Sequence, residues 1–169
     1  MNAEQLKALQ TPLKSKYRDE PAAALLTLKI EGRLADDAIA CNVASPRGNI
    51  HAGLHPAAGG DGSLACSGDM LLEALVGCAG VTLKAVATAM AVPLRGAVIR
   101  AEGDLDFRGT LGVSKEVPIG FKEIRLTFEL DTDAPQDQID TLIKLAKRYC
   151  VIWQTLSQPA KLESIVVRK

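Results

Sequence analysis

The stretch Asp69-Met-Leu-Leu-Glu-Ala-Leu-Val-Gly-Cys-Ala-Gly-Val-Thr-Leu-Lys-Ala-Val-Ala-Thr-Ala-Met90 decides how this chain of 169 residues folds. Asp69, Glu73, Gly77, Gly80, Lys84 and Thr88 recur at spacings of three and four, which gathers them on one polar or small-residue stripe of an α-helix. Nearly everything off that stripe is apolar: Met70, Leu71, Leu72, Leu75, Val76, Val81, Leu83 and Val86. A helix apolar around so much of its circumference must be enclosed by protein. Gly77 and Gly80 lower helix propensity and admit a very close neighbour, which suggests another helix, one from a second subunit included. Its uncharged part, residues 74–83, falls well short of the roughly 20 apolar residues that span a bilayer, so no membrane partner is expected.

Downstream, Pro93 ends the helix and two alternating runs follow. Ala97, Ile99, Ala101, Leu105 and Phe107 alternate with charged residues in the first, and Ile124, Leu126, Phe128 and Leu130 in the second. Each predicts a strand with one wet and one dry face, joined by a glycine- and proline-punctuated loop over 108–120. Asp133-Ala-Pro-Gln136 has the form of a capping box. It opens a second helix whose Ile139, Leu142, Ile143 and Ala146 share a face, and which reaches Tyr149-Cys150 near its end. Leu162 to Val167 reads as a last strand.

Upstream, residues 56–68 form a glycine-rich connection that lacks the GK[ST] of a phosphate loop. Before it, Leu26, Leu28 and Ile30 alternate with polar residues, and a second run places Ile39, Cys41 and Val43 on one face; Ser45-Pro-Arg-Gly-Asn49 then turns the chain into a short strand over 50–54. Residues 2–18 predict a peripheral helix with Leu6, Leu9 and Leu13 on one side, interrupted at Pro12. The order strand–strand–strand, helix, strand–strand, helix, strand predicts an α+β fold: an antiparallel sheet with a central buried helix and a second helix. Residues 1–21 read as an N-terminal helical extension and 22–169 as a single domain.

Twenty Lys+Arg balance twenty Asp+Glu, which excludes the basic footprint of a nucleic-acid binder. The opening MNAEQLKALQ has no basic segment followed by an apolar one, so a cytoplasmic, reducing location is expected. A chain this long buries enough surface to fold without disulfides. Its four cysteines, Cys41, Cys66, Cys78 and Cys150, are therefore of interest for their chemistry.

The helix around Leu75-Val-Gly-Cys-Ala-Gly80 and the helix end Ala146-Lys-Arg-Tyr-Cys150, with the order of elements over roughly residues 38–167, resemble the OsmC-like superfamily. That superfamily includes the osmotically inducible protein C and organic hydroperoxide resistance groups. The resemblance implies an intertwined homodimer with two sites at the subunit interface and no cofactor. Cys78 would be the thiol that attacks an organic hydroperoxide and becomes a sulfenic acid. Cys150 would resolve it as a disulfide, and an external dithiol, such as a lipoylated protein, would reduce that bond.

Similar proteins supply an Arg from an early hairpin, held by a Glu ten residues before the attacking cysteine. Arg47 is the best positional match for the Arg, with Arg33 as the fallback. Gly68 stands at the position of the Glu; Asp69, one residue later, is the nearest substitute. That departure leaves a second reading open, a non-catalytic dimer binding a small apolar or electrophilic ligand. Cysteine on an apolar helix is ordinarily a small hydrophobe. Cys41 reads as core, and Cys66 stays unassigned. His51 and His55 with a cysteine raise a zinc site, but Gly53 and Pro56 oppose the helix that would align the two rings, so no metal is expected. Tyr149 and Trp153 either wall an apolar pocket or serve as a core aromatic and a dimer contact.

Overall fold

A computed structural model describes residues 1–168 other than Arg47. The chain is α+β, and its centre is the helix on which the sequence turns: α2, Ser67–Ala89. Leu75, Ala79, Leu83 and Ala87, each four residues on from the last, are 0–1% exposed and form one buried stripe. Against it lies the dry face of a two-stranded antiparallel sheet, β5 (Gly96–Asp104) and β6 (Glu123–Asp131). In its register Ile99 faces Phe128 and Ala101 faces Leu126, so these side chains meet α2 as one surface. On the wet face Arg125 bonds Glu102 and Asp104, and Arg100 bonds Glu129. These ion pairs are exposed and contribute little.

The second helix, α4 (Gln136–Tyr149), packs on the same buried stripe of α2 with fully buried Leu142 and Ala146. Burying Leu75, Leu83 and Leu142 stabilises the fold by about 1.5–3 kcal/mol each. By length and composition α2 could cross a bilayer, but its buried stripe is spent on α4 and β5. A further sheet pairs β1 (Glu31–Leu34), β2 (Ala40–Ser45) and β3 (Gly48–Gly53) antiparallel, and β3 pairs parallel with the two-residue β4 (Ala65–Cys66) that leads into α2. Gly60 packs so close to the Leu54 carbonyl that a Cβ would stand 1.8 Å from its oxygen, which explains a glycine in this connection.

Several expectations change. The N-terminal helix, α1 (Ala3–Asp19), runs through Pro12 without interruption, opened by a reciprocal Asn2–Gln5 capping box. β5 stops at Asp104 because Asp106 caps the short α3 (Phe107–Thr110), its carboxylate accepting the Arg108 amide at 3.1 Å. Phe107 therefore leaves the strand. Asp133 is not the cap of α4: Pro135 holds that position with no side-chain bond, and Asp133 turns instead to Arg95. Residues 25–30 and 158–168, which contain the strands expected over 26–30 and 162–167, belong to no helix or strand. A strand needs a hydrogen-bonding neighbour, and the described residues of the single chain place none beside them. Finally, an unforeseen helix, α5 (Val151–Ser157), follows α4 after one non-helical residue, Cys150.

Candidate functional site

Cys78 sits half-buried in the middle of α2. Cys150 is 1% exposed and occupies the joint between α4 and α5, with φ −76° and ψ 108°. The packing that buries Leu75 and Ala79 brings Cys150 onto α2 beside Cys78. The two thiols lie close enough for each to bias the ionisation of the other.

Their surroundings split them. Burial pushes the Cys78 thiol up, but the Ile152 amide, the Cys150 thiol, the Val151 amide and the Thr82 hydroxyl all donate to its sulfur and outweigh burial. Cys78 therefore ionises below the ordinary cysteine value. Burial is also the main influence on Cys150, and its thiol stays up. The Trp153 amide, 3.4 Å from its sulfur, opposes the rise, while the adjacent Cys78 adds to it. The site thus sets a thiol that ionises more readily than an ordinary cysteine beside one that ionises less readily. Such a pair can present one sulfur as a nucleophile and the other as the group that bonds to it afterwards.

The other residues singled out in the sequence lie elsewhere. Arg47 is outside the described residues. Arg33 is exposed and bonds Glu31 at 2.9 Å. Asp69 is the third residue of α2; on a continuous helix nine residues amount to a turn of about 180°, which puts it on the side of the axis away from Cys78. It lines a cavity of about 320 Å³ with His55, Cys66 and Phe107. His55 accepts the Ala57 amide on Nδ1 at 3.0 Å and stacks on Phe107, whereas His51 contacts Asn42 on the neighbouring strand at 2.6 Å. Among the described residues no three His, Cys, Asp or Glu side chains gather as metal ligands. Cys41 lies half-buried on β2 against Gly32, where a Cβ would come within 2.8 Å of its sulfur.

Trp153 and Tyr149 separate. Trp153 packs beside Cys150 and, with Leu71, Leu75, Phe121, Ile124 and Leu156, lines an apolar cavity of about 480 Å³. Tyr149 is exposed beneath the Arg148 guanidinium. Three contributors to the site were missed in the sequence: the Val151 and Ile152 amides and the Thr82 hydroxyl. Thr82 could have been found, since it stands one helical turn beyond Cys78. The amides could not, because a backbone donor has no letter of its own.

The profile of the OsmC-like protein family matches residues 60–164, which include both site cysteines. The chain belongs to the OsmC-like family. No protein of curated function matches it in sequence. Solved structures share the OsmC-like fold at low identity. An OsmC-like protein of Mycoplasma pneumoniae superposes with a TM-score of 0.66 at 18% identity, covering 79% of this chain and 89% of that one. The organic hydroperoxide resistance protein OsmC of Legionella pneumophila gives 0.62 at 16%, over 80% and 92%. The organic hydroperoxide resistance protein OhrB of Bacillus subtilis gives 0.53 at 20%, over 80% and 94%.

Proposed function

We propose that this OsmC-like protein is a thiol peroxidase that reduces organic hydroperoxides through Cys78 and Cys150. The observation that carries the reading is the contact between a thiol held down in pKa and one held up. The names of two structural neighbours, organic hydroperoxide resistance proteins of Legionella and Bacillus, support the choice of peroxide. The Cys78 thiolate attacks the distal peroxide oxygen, the O–O bond breaks, and the alcohol leaves with a proton. Cys78 is then a sulfenic acid. The Cys150 sulfur attacks it, the S–O bond breaks, water leaves, and a disulfide forms. A dithiol restores both thiols by exchange and leaves as its own disulfide. The apolar surroundings of the pair favour an organic peroxide over hydrogen peroxide.

The reading includes a homodimer, since α2 leaves Gly77 and Val81 facing open space and two apolar segments lack a sheet to join. It also keeps Arg47 as the candidate cation for the thiolate in the assembled site, with Asp69 as the carboxylate that would hold that Arg. Purified protein with a dithiol should consume cumene hydroperoxide, Cys78→Ser should fall to the buffer rate, and peptide mapping of the oxidised wild type should find a Cys78–Cys150 disulfide. A folded wild type with no turnover would replace this reading with a non-catalytic dimer that binds an apolar or electrophilic ligand.

A further inference from the structure

α5 is attached to the protein at its start through sulfur. Its first three amides, those of Val151, Ile152 and Trp153, have no acceptor within their own helix, as is general for a first turn. Here the Trp153 amide donates to the Cys150 sulfur at 3.4 Å, and the Val151 and Ile152 amides lie toward Cys78 and favour its anion. The only residue between α4 and α5 is Cys150 itself, in an extended conformation. Its other ties are the Gln154 bond to the Lys147 carbonyl at 2.9 Å, the Lys147 ammonium 5.6 Å over the Trp153 ring, and the packing of Ile152 and Trp153 beside Leu75 and Ala79. The same short helix supplies Trp153, Leu156 and Ser157 to the wall of the 480 Å³ cavity.

We propose that forming the Cys78–Cys150 disulfide unlocks α5, so that the redox state of the pair sets the shape of the Trp153 cavity. The inference rests on the thiol-pair reading. Oxidation takes two electrons from the two sulfurs: the hydroperoxide becomes alcohol and water, the S–S bond forms, and the thiolate charge that accepted the Val151 and Ile152 amides disappears. A disulfide sulfur is a poor acceptor. Drawing Cys150 from contact into a covalent bond also moves the one residue on which α5 turns. The first turn loses its acceptors at the moment its hinge shifts, and reduction restores both.

The test compares reduced full-length protein with protein oxidised by one equivalent of cumene hydroperoxide, and separately by diamide, which makes the same bond while being reduced to its hydrazine. Peptide mass mapping verifies the bond. Amide hydrogen exchange at 151–153 should speed up at least tenfold, with 142–146 in α4 unchanged. Emission of Trp153, the single tryptophan of the chain, should shift and return on reduction. Release with diamide but not with hydroperoxide upholds the inference and removes the peroxidase reading. A verified disulfide with unchanged exchange and emission overturns the inference and leaves that reading standing. Equal acceleration in α4, or no disulfide with either reagent, overturns it too.

Discussion

At the residue scale, the Cys78 sulfur depends on donors rather than on any described cation. Val151 is the position at which this can be tested cleanly. Its side chain is exposed, it is the first residue of α5, and the residue before it has the extended backbone that proline prefers. Val151→Pro therefore removes one N–H from Cys78 without disturbing the helix. A hydrogen bond to a charged group contributes about 1.5–3 kcal/mol, so alkylation of Cys78 near pH 6 should slow by roughly ten- to a hundredfold, while Val151→Ala changes nothing. The sign with pH follows. Because the Cys78 thiol is held down, the wild-type rate should rise with pH and level off below the ordinary thiol range of about 8.5, and the proline variant should level off higher. An unchanged pH profile in Val151→Pro would remove the amides from the account. The two cysteines were legible because helix position and motif are written in side chains. Their difference in ionisation was not, since it comes from backbone amides that α5 folds into place.

At the scale of elements, period did most of the work. The 3.6-residue pattern placed α2 within two residues of its observed bounds at either end, and the alternation around Ile99 and Phe128 placed β5 and β6. Pattern failed where a local competitor intervened, as when Asp106 ended β5 by capping α3 and Arg95 drew Asp133 away from α4. Leu142 is the keystone of α4: fully buried between α2 and the sheet, it should cost about 2–5 kcal/mol on Leu142→Ala in urea unfolding of the reduced protein. Gly80 gives the opposite sign. A Cβ there meets Ile99 at 3.6 Å, an ordinary contact, so Gly80→Ala should gain about 0.5–1 kcal/mol of helix propensity in the same experiment. A loss at Gly80 would mean that something packs against α2 more closely than its own sheet does.

At the scale of the whole molecule, the single chain leaves much apolar surface uncovered. Leu25, Leu26, Leu28 and Ile30 are 63–86% exposed, and Leu162, Ile165, Val166 and Val167 are 81–90% exposed. Apolar patches on this scale mark interfaces. The same segments read as strands in the sequence, the first by its alternation, and the edges of β1, β5 and β6 carry unpaired backbone groups that strands could join. Alternation expresses that a segment has a dry face, but not which chain covers it. A second copy would supply the missing edges to both runs at once, and sedimentation equilibrium should then give twice the 17.9 kDa of one chain. Leu28→Lys and Ile165→Lys distinguish the possibilities sharply. On an isolated chain both positions face water, and such surface changes stay within about 0.5 kcal/mol. In the dimer each change removes a burial of about 1.5–3 kcal/mol and sets a charge in the interface, so both variants should sediment as monomers and unfold at lower urea. A monomeric wild type, or variants as dimeric and as stable as the wild type, would mean that these segments are covered by something other than a second copy.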